Sequence, residues 1–197
     1  PICKNKEFRK NRKMLQMTRQ MIFQDSASSL NPRMKIGDIV AEPLRIYSGK
    51  GRPGKKEIEK QLELVGLDRS YMEKYPCELS GGQRQRVAIA RALSTKPELI
   101  VADEPIASLD VSIQAQMVNL FRKLQKEQGF SFLFIAHDLS MVEFLCDRTG
   151  VMYHGKLVEE GRTQDIFAHP EHEYTKALLA AVPIPDPRIE RQKGEVL

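Results

Sequence analysis

Short apolar segments alternate along this chain with longer segments in which apolar residues recur every three or four positions. The short segments predict strands at residues 19–24, 98–103 and 130–136. Helical periodicity covers residues 35–67, with a Gly/Pro-rich break, and residues 80–95, 111–128 and 138–146. Strands that alternate with helices are typical of a parallel sheet with crossover helices, so we predict an α/β fold.

The second and third predicted strands are nearly continuous apolar runs, which is typical of strands covered on both faces. We therefore expect both of these strands to be buried. Further along, two short runs flank His154-Gly155 and predict a closing pair of strands. We predict these strands at residues 149–153 and 156–160, short helices at 163–168 and 174–181, and a loop at 25–32.

The composition indicates a soluble globular protein rather than a disordered one. The 197 residues are 41% hydrophobic and 29% charged, and no run approaches the roughly 18 apolar residues of a membrane span. The net charge is +5, with basic residues concentrated at residues 4–19 and 50–60. Such runs form a solvated face or contact nucleic acid or anionic membranes. Cys3, Cys77 and Cys146 lack CxxC spacing and indicate reduced thiols rather than a metal site.

The strand at residues 98–103 ends in two carboxylates, Asp103 and Glu104. Ligands of open parallel sheets bind beyond the carboxyl ends of the strands, so both side chains are candidate site residues. An aspartate after four apolar residues is the Walker B arrangement, which helps to hold Mg²⁺. The adjacent glutamate can orient and deprotonate an attacking water. The alternative is a pair of solvated or capping acids at a strand end.

A second motif, Ser80-Gly81-Gly82-Gln83, opens the helix predicted at residues 80–95. Ser80 and Gln83 have the spacing of a capping box, which explains these two residues without any ligand. The two glycines are not explained in this way, because glycine costs helix stability. Glycine lets a backbone approach an anion closely, and a helix N-terminus favours a phosphate. The motif therefore predicts a phosphate-binding helix start.

These two motifs, with Arg84-Gln85-Arg86 and the apolar run after it, resemble the nucleotide-binding subunit of an ABC transporter. The resemblance implies that Gln24 is the Q-loop glutamine, which senses Mg²⁺ and contacts a transmembrane partner. It also implies that Ser108 and Asp110 belong to the D-loop and that His137 is the switch histidine at the terminal phosphate. The alternatives are a polar residue at a strand end for Gln24, a helix cap for Asp110 and a structural histidine for His137.

Within this family the chain is similar to the ATPases of oligopeptide/dipeptide and nickel importers. The similarity rests on residues 23–34, 110–116, 174–179 and 183–187, and extends from about residue 21 to 187. It implies an ATP-binding and ATP-hydrolysing subunit that uses Mg²⁺, bound by Asp103 and Gln24, with Glu104 and His137 as catalytic residues. Peptide and nickel importers share these motifs, so both substrates stay open.

The resemblance further implies two kinds of protein partner and no nucleic acid. The partners are a second ATPase subunit, identical or different, in a head-to-tail dimer, and transmembrane permease subunits that dock at the Q-loop region. The expected location is cytoplasmic, peripheral on the inner face of the cell membrane. Two alternatives are a soluble ABC-type ATPase that acts on nucleic acid or ribosomes, and an inactive ABC fragment.

The family's P-loop, G-x-x-x-x-G-K-[ST], does not occur upstream of Gln24 in this sequence. Residues 49–56 have similar glycine spacing, but they follow the Q-loop and place Lys56 where the metal-binding hydroxyl should be. We interpret them as a surface turn. We therefore predict an N-terminally truncated, P-loop NTPase-like nucleotide-binding domain that cannot hydrolyse ATP in its own site but can offer its signature helix to a partner.

Four segments are predicted. Residues 1–33 are a partial ATPase core with the Q-loop, and residues 34–96 form a helical subdomain with the signature motif. Residues 97–168 complete the core with Walker B, the D-loop and the switch histidine. Residues 169–197 form a C-terminal helix and a Pro-rich extended tail.

Overall fold

A computed structural model describes residues 5–48 and 53–181 and divides the chain into two compact units, Pro1–Ile135 and Ala136–Leu197. The finer division into four segments stays a prediction. Residues 49–52 of the turn that resembles a P-loop, the tail after residue 181, and Cys3 lie outside the described residues.

The first unit carries most of the predicted elements. They are α1 Asn5–Thr18, β1 Arg19–Ile22, α2 Ser26–Ser29, α3 Ile36–Ser48, α4 Lys55–Leu64, 3₁₀ helices Arg69–Glu73 and Pro76–Glu78, α5 Gly81–Leu93, β2 Leu99–Asp103, α6 Val111–Gln128 and β3 Ser131–Ile135. The second unit contains α7 Leu139–Leu145, β4 Arg148–Tyr153, β5 Lys156–Arg162, α8 Thr163–Ala168 and α9 Glu173–Ala180. The sequence analysis did not predict helix α1, the 3₁₀ helices or the short α2, which lies in the predicted loop.

The first unit is built on a parallel sheet in the order β1-β2-β3, which confirms the predicted architecture. One face of the sheet packs on helices. Phe121 of α6 lies with its ring centroid 5.1 Å from that of Phe132 and 6.3 Å from that of Phe134. Ile100 and Ala102 of the central strand are buried on the same face, 1% and 0% exposed. Helix α6 is the crossover that covers this face between β2 and β3.

The opposite face of the sheet is apolar and exposed. Met21, Val101 and Leu133 are neighbours in register on this face, and Met21, Leu133 and Ile135 are 40%, 53% and 45% exposed. The prediction of a buried strand at residues 130–136 is therefore wrong for this face, whereas Leu99 and Val101 in the segment 98–103 are half-buried. A continuous apolar run shows that both faces can be covered, but burial requires a second layer, and the described part of the chain leaves this face in solvent.

Helices α3, α4 and α5 pack together through the apolar faces that their periodicity predicted. Ile36, Ile39, Ile58 and Leu62 are at most 1% exposed, as is Ile89 of α5. Burying such side chains contributes about 1.5–3 kcal/mol each. This packing fixes the position of α5, the helix that begins with the signature motif.

The second unit contains the predicted hairpin. Strands β4 and β5 pair antiparallel, and the turn between them places His154 and Gly155 in the left-handed region, at φ 46° and 75°. The carboxylate of Glu159 on β5 accepts hydrogen bonds from the N–H groups of Glu171 (2.9 Å) and His172 (3.1 Å), just before α9. These bonds attach the start of α9 to the hairpin.

Across residues 5–48 and 53–181, no helix is both long and apolar enough to cross a membrane.

Candidate functional site

Strands β1 and β2 end side by side, and their polar residues meet at this edge of the sheet. Gln24 Nε2 donates a hydrogen bond of 2.7 Å to Glu104 Oε2, although the two residues are 80 positions apart in the chain. A hydrogen bond to an ionised carboxylate is roughly twice as strong as one between neutral groups. The structure thus joins two of the residues that the sequence singled out.

The backbone of Glu104 adopts a strained conformation. Its φ is +41°, in the left-handed region that side-chain-bearing residues seldom occupy. The Glu104 N–H donates to the carbonyl oxygen of Ile135 at the end of β3, at 2.9 Å. Strained residues persist where the surroundings over-determine them, and they concentrate at functional sites. This left-handed conformation turns the chain after β2. Its strain supports a functional role for the Glu104 carboxylate.

Asp103 is the last residue of β2, half-buried, and pairs in register with Ile135. The oxygen donors of Asp103 and Gln24 suit Mg²⁺, which binds proteins through one or two carboxylates and completes its shell with phosphate oxygens and water. No cluster of three or more His, Cys, Asp or Glu side chains occurs in the part of the chain that the structure describes. The assignment of Asp103 and Gln24 as Mg²⁺ ligands stays a prediction.

The signature motif forms the predicted capping box at the start of α5. Ser80 Oγ accepts from the Gln83 N–H at 3.3 Å, and the Ser80 N–H donates to Gln83 Oε1 at 3.0 Å. A helix start leaves its first N–H groups without intrahelical partners, and here these include the N–H groups of Gly81 and Gly82. Ser80 is exposed. The geometry suits an anion at this helix end.

Gly82 also has a packing role that the sequence did not reveal. A Cβ on Gly82 would lie 2.8 Å from Cγ2 of Ile113 in α6, which is too close for any real contact. A Cβ on Gly81 would lie 3.4 Å from Cδ2 of Leu109, an ordinary contact distance. Gly82 therefore lets α5 approach the start of α6, whether or not a ligand binds.

Replacing Gly82 by alanine should lower the free energy of unfolding by about 1 kcal/mol. Overpacking against Ile113 costs about 1–3 kcal/mol, which outweighs the gain in helix propensity of up to about 1 kcal/mol. Urea denaturation of Gly82→Ala, Ile113→Ala and the double variant measures the coupling between the two sites. In the Ile113→Ala background, Gly82→Ala should be neutral or stabilising.

Gly81→Ala is the matched control for this cycle, because its Cβ would have room, and we expect it to leave stability almost unchanged. A Gly82→Ala cost that survives unchanged in the Ile113→Ala background would show that the glycine is not required by this packing.

The D-loop aspartate caps α6. Asp110 Oδ1 accepts from the Ile113 N–H at 3.1 Å and from the Ser112 hydroxyl at 2.8 Å. These hydrogen bonds, that of Ser112 first, hold the pKa of Asp110 below its ordinary value. Ser108 is exposed two residues earlier. The structure thus bears out the capping interpretation of Asp110, and its D-loop role stays a prediction.

His137 lies in the second unit and is exposed, one residue before the start of the α7 cap. Asp138 forms that cap, since its Oδ1 accepts from the Ser140 N–H at 2.9 Å. The role of His137 as the switch histidine stays a prediction.

Two residues that sequence reasoning did not single out connect the signature helix to its surroundings. Arg91 Nη1 donates to the Ser29 carbonyl oxygen, at the end of α2 and five residues after Gln24, at 2.6 Å. The Tyr71 hydroxyl accepts from Gln83 Nε2 at 2.9 Å. An arginine in an otherwise apolar helical run was a possible signal for Arg91, whereas nothing in the sequence distinguished Tyr71.

Comparisons with known proteins agree with this geometry. The model of the ABC transporter family matches residues 2–107, more than half of the chain, and the model of the oligopeptide/dipeptide transporter C-terminal region matches residues 158–197. The fold resembles the ATP-binding cassette MJ0796 in a dimeric post-hydrolysis state bound to ADP and Pi, with a TM-score of 0.68 at 28% identity over 79% of this chain and 67% of that chain. It also resembles cbiO1 from Clostridium perfringens, part of the ABC transporter complex cbiONQ, with a TM-score of 0.70 at 27% identity over 97% and 71%.

The chain therefore belongs to the ABC transporter family, and its fold is that of the ATP-binding domain. Its relatives within the family include the oligopeptide transport ATP-binding protein OppF of Bacillus subtilis, 56% identical over 93% of this chain and 59% of the relative. The dipeptide transport ATP-binding protein DppF of Lactococcus lactis is 52% identical over 90% of this chain and 58% of that protein. The chain thus spans less than two thirds of the length of these curated relatives.

Proposed function

We propose that this chain is part of the ATP-binding subunit of a peptide-importing ABC transporter. The observation that carries the proposal is the contact between Gln24 and Glu104 beside Asp103, at the carboxyl edge of the parallel sheet, where open parallel sheets bind their ligands. The similarity to oligopeptide and dipeptide transport proteins supports peptides as the cargo.

Each site residue has a proposed role. Asp103 and Gln24 hold Mg²⁺, and Glu104 takes a proton from the water that attacks the terminal phosphate. Ser80, Gly81 and Gly82 present backbone N–H groups to the phosphates of a nucleotide held by a second subunit. Permease subunits contact the Q-loop region, which places the protein at the cytoplasmic face of the membrane.

Because no P-loop occurs among these 197 residues, we propose that they do not turn over ATP by themselves. Its signature helix is complete from the Ser80 cap to Leu93 and is available to a partner. In a head-to-tail pair, the partner would then contribute the P-loop and this chain the signature helix.

A complementation assay tests this function. An intact ATPase subunit of the same family, inactivated by replacement of its own signature serine, is mixed with this chain and MgATP. We expect no turnover from either protein alone and restored turnover in the mixture. Ser80→Arg in this chain is the control and should abolish the restoration. Magnesium-dependent turnover by the isolated chain, or no restoration in the mixture, would overturn the proposal.

A further inference from the structure

Gln83, the last residue of the signature motif, is held at both ends of its side-chain amide. Oε1 accepts from the Ser80 N–H at 3.0 Å, and Nε2 donates to the Tyr71 hydroxyl at 2.9 Å. The Ser80 N–H can only donate, so it requires the amide oxygen on its side. The amide nitrogen therefore points to Tyr71, and the hydroxyl of Tyr71 completes this arrangement by accepting its proton.

Tyr71 itself is held by its ring and its backbone. It lies in the 3₁₀ helix Arg69–Glu73, where Asp68 Oδ1 caps the start by accepting from the Ser70 N–H at 2.8 Å. Lys74 Nζ lies over the Tyr71 ring, 4.1 Å from its centroid, within the range of a cation–π interaction. The hydroxyl is thus presented to Gln83 by a ring whose position does not depend on that hydrogen bond.

The 3₁₀ segment is in turn attached to α3. The Ile36 N–H donates to the Lys74 carbonyl oxygen at 2.9 Å, and Lys35 pairs with Glu73 at 2.7 Å. Met72 of the same 3₁₀ helix is buried, 6% exposed. The Tyr71 hydroxyl therefore occupies a fixed point relative to the helices on which α5 packs.

We propose that Tyr71 is a positioning residue for the signature motif. Its hydroxyl locks the Gln83 amide in the orientation that closes the capping box with Ser80. The lock holds the N–H groups of Gly81 and Gly82 in place for a partner's nucleotide. The expected effect of this lock on ATP turnover rests on the proposed function. The lock itself depends only on contacts within this chain.

Tyr71→Phe tests the lock, because it removes one oxygen atom and keeps the ring and its contact with Lys74. Tyr75→Phe is the matched control, since Tyr75 lies four residues further along, just before the next 3₁₀ helix, and its side chain is exposed. In ¹⁵N NMR spectra of the 197-residue chain, we expect the Gln83 side-chain amide resonance to shift in Tyr71→Phe. Hydrogen exchange of the Ser80 and Gln83 backbone N–H groups should rise roughly two- to tenfold, the worth of one hydrogen bond.

Tyr75→Phe should leave these signals unchanged, and both variants should keep a cooperative melting transition. Unchanged Gln83 and Ser80 signals in Tyr71→Phe would overturn the lock.

The complementation assay then tests the consequence for function. Tyr71→Phe should lower restored turnover by a factor similar to the rise in exchange, whereas Tyr75→Phe should not. If Tyr71→Phe restored ATP turnover fully despite a changed Gln83 signal, the hydrogen bond would stabilise the helix cap only. Its proposed role in the reaction would then be wrong. If the wild-type chain restores no turnover, the proposed function fails, and the NMR result still decides whether Tyr71 orients Gln83.

Discussion

Replacing Glu104 by glutamine in a full-length ATP-binding subunit that carries this sequence should lower ATP turnover by about 10²–10⁴-fold, the usual contribution of a general base. Glutamine keeps the size of the side chain and can still accept a hydrogen bond from Gln24. It cannot take a proton from water. Nucleotide affinity should therefore change little while the rate falls. Steady-state turnover and nucleotide binding, measured on the same preparation, separate the two quantities.

Glu98→Gln is the matched control, because Glu98 is an exposed carboxylate one residue before β2, at the other end of the same strand. We expect its turnover to stay at the wild-type rate. If Glu104→Gln also kept that rate, the carboxylate would be a structural partner of Gln24 only, and the strained φ of Glu104 would need another explanation.

Replacing Arg91 by methionine should lower the free energy of unfolding by about 2–3 kcal/mol. The guanidinium is half-buried and donates a 2.6 Å hydrogen bond to the Ser29 carbonyl oxygen. Burial lowers the pKa of Arg91, while the nearby charge of Glu42 on α3 acts in the opposite direction. Methionine keeps much of the apolar stem of the side chain but leaves the Ser29 carbonyl and Glu42 without this cation. The expected loss follows because a hydrogen bond to a charged group contributes about 1.5–3 kcal/mol.

Urea denaturation of the chain measures this loss, with Arg45→Met as the control. Arg45 is exposed on α3, so its replacement should change stability by less than about 0.5 kcal/mol. Hydrogen exchange should also rise at residues 28–30 in Arg91→Met, because Arg91 attaches the segment after Gln24 to the signature helix. Equal losses in the two variants would contradict the structural role of Arg91.

The order and type of the main elements could be predicted because their signals are local. Helix α6 is the clearest case. Its apolar period, the Asp110 cap and Gly129 at φ 73° all lie within the helix or next to it, and the structure places the helix at the predicted residues. The capping box of Ser80 and Gln83 is local in the same way. A capping side chain bonds a backbone group only two or three residues away, so the sequence contains the whole interaction.

The burial of the strands could not be predicted in the same way. Leu133 and Ile135 are as apolar as the buried residues of the sheet, yet they are about half exposed. Whether an apolar side chain meets solvent depends on which layers cover its face. The periodicity of one strand does not indicate which layers cover its faces.

The sequence alone therefore determined the family, the α/β class, the helix caps and the identity of the candidate site residues, because motifs and caps depend on neighbours in the chain. The tertiary structure decided which of these residues meet. It brought Gln24 to Glu104, Tyr71 to Gln83 and Arg91 to Ser29, across 80, 12 and 62 residues of chain. It also showed that Gly82 is needed for close packing on Ile113. These contacts depend on how helices and strands pack in space, and the spacing of residues along the chain does not specify that packing.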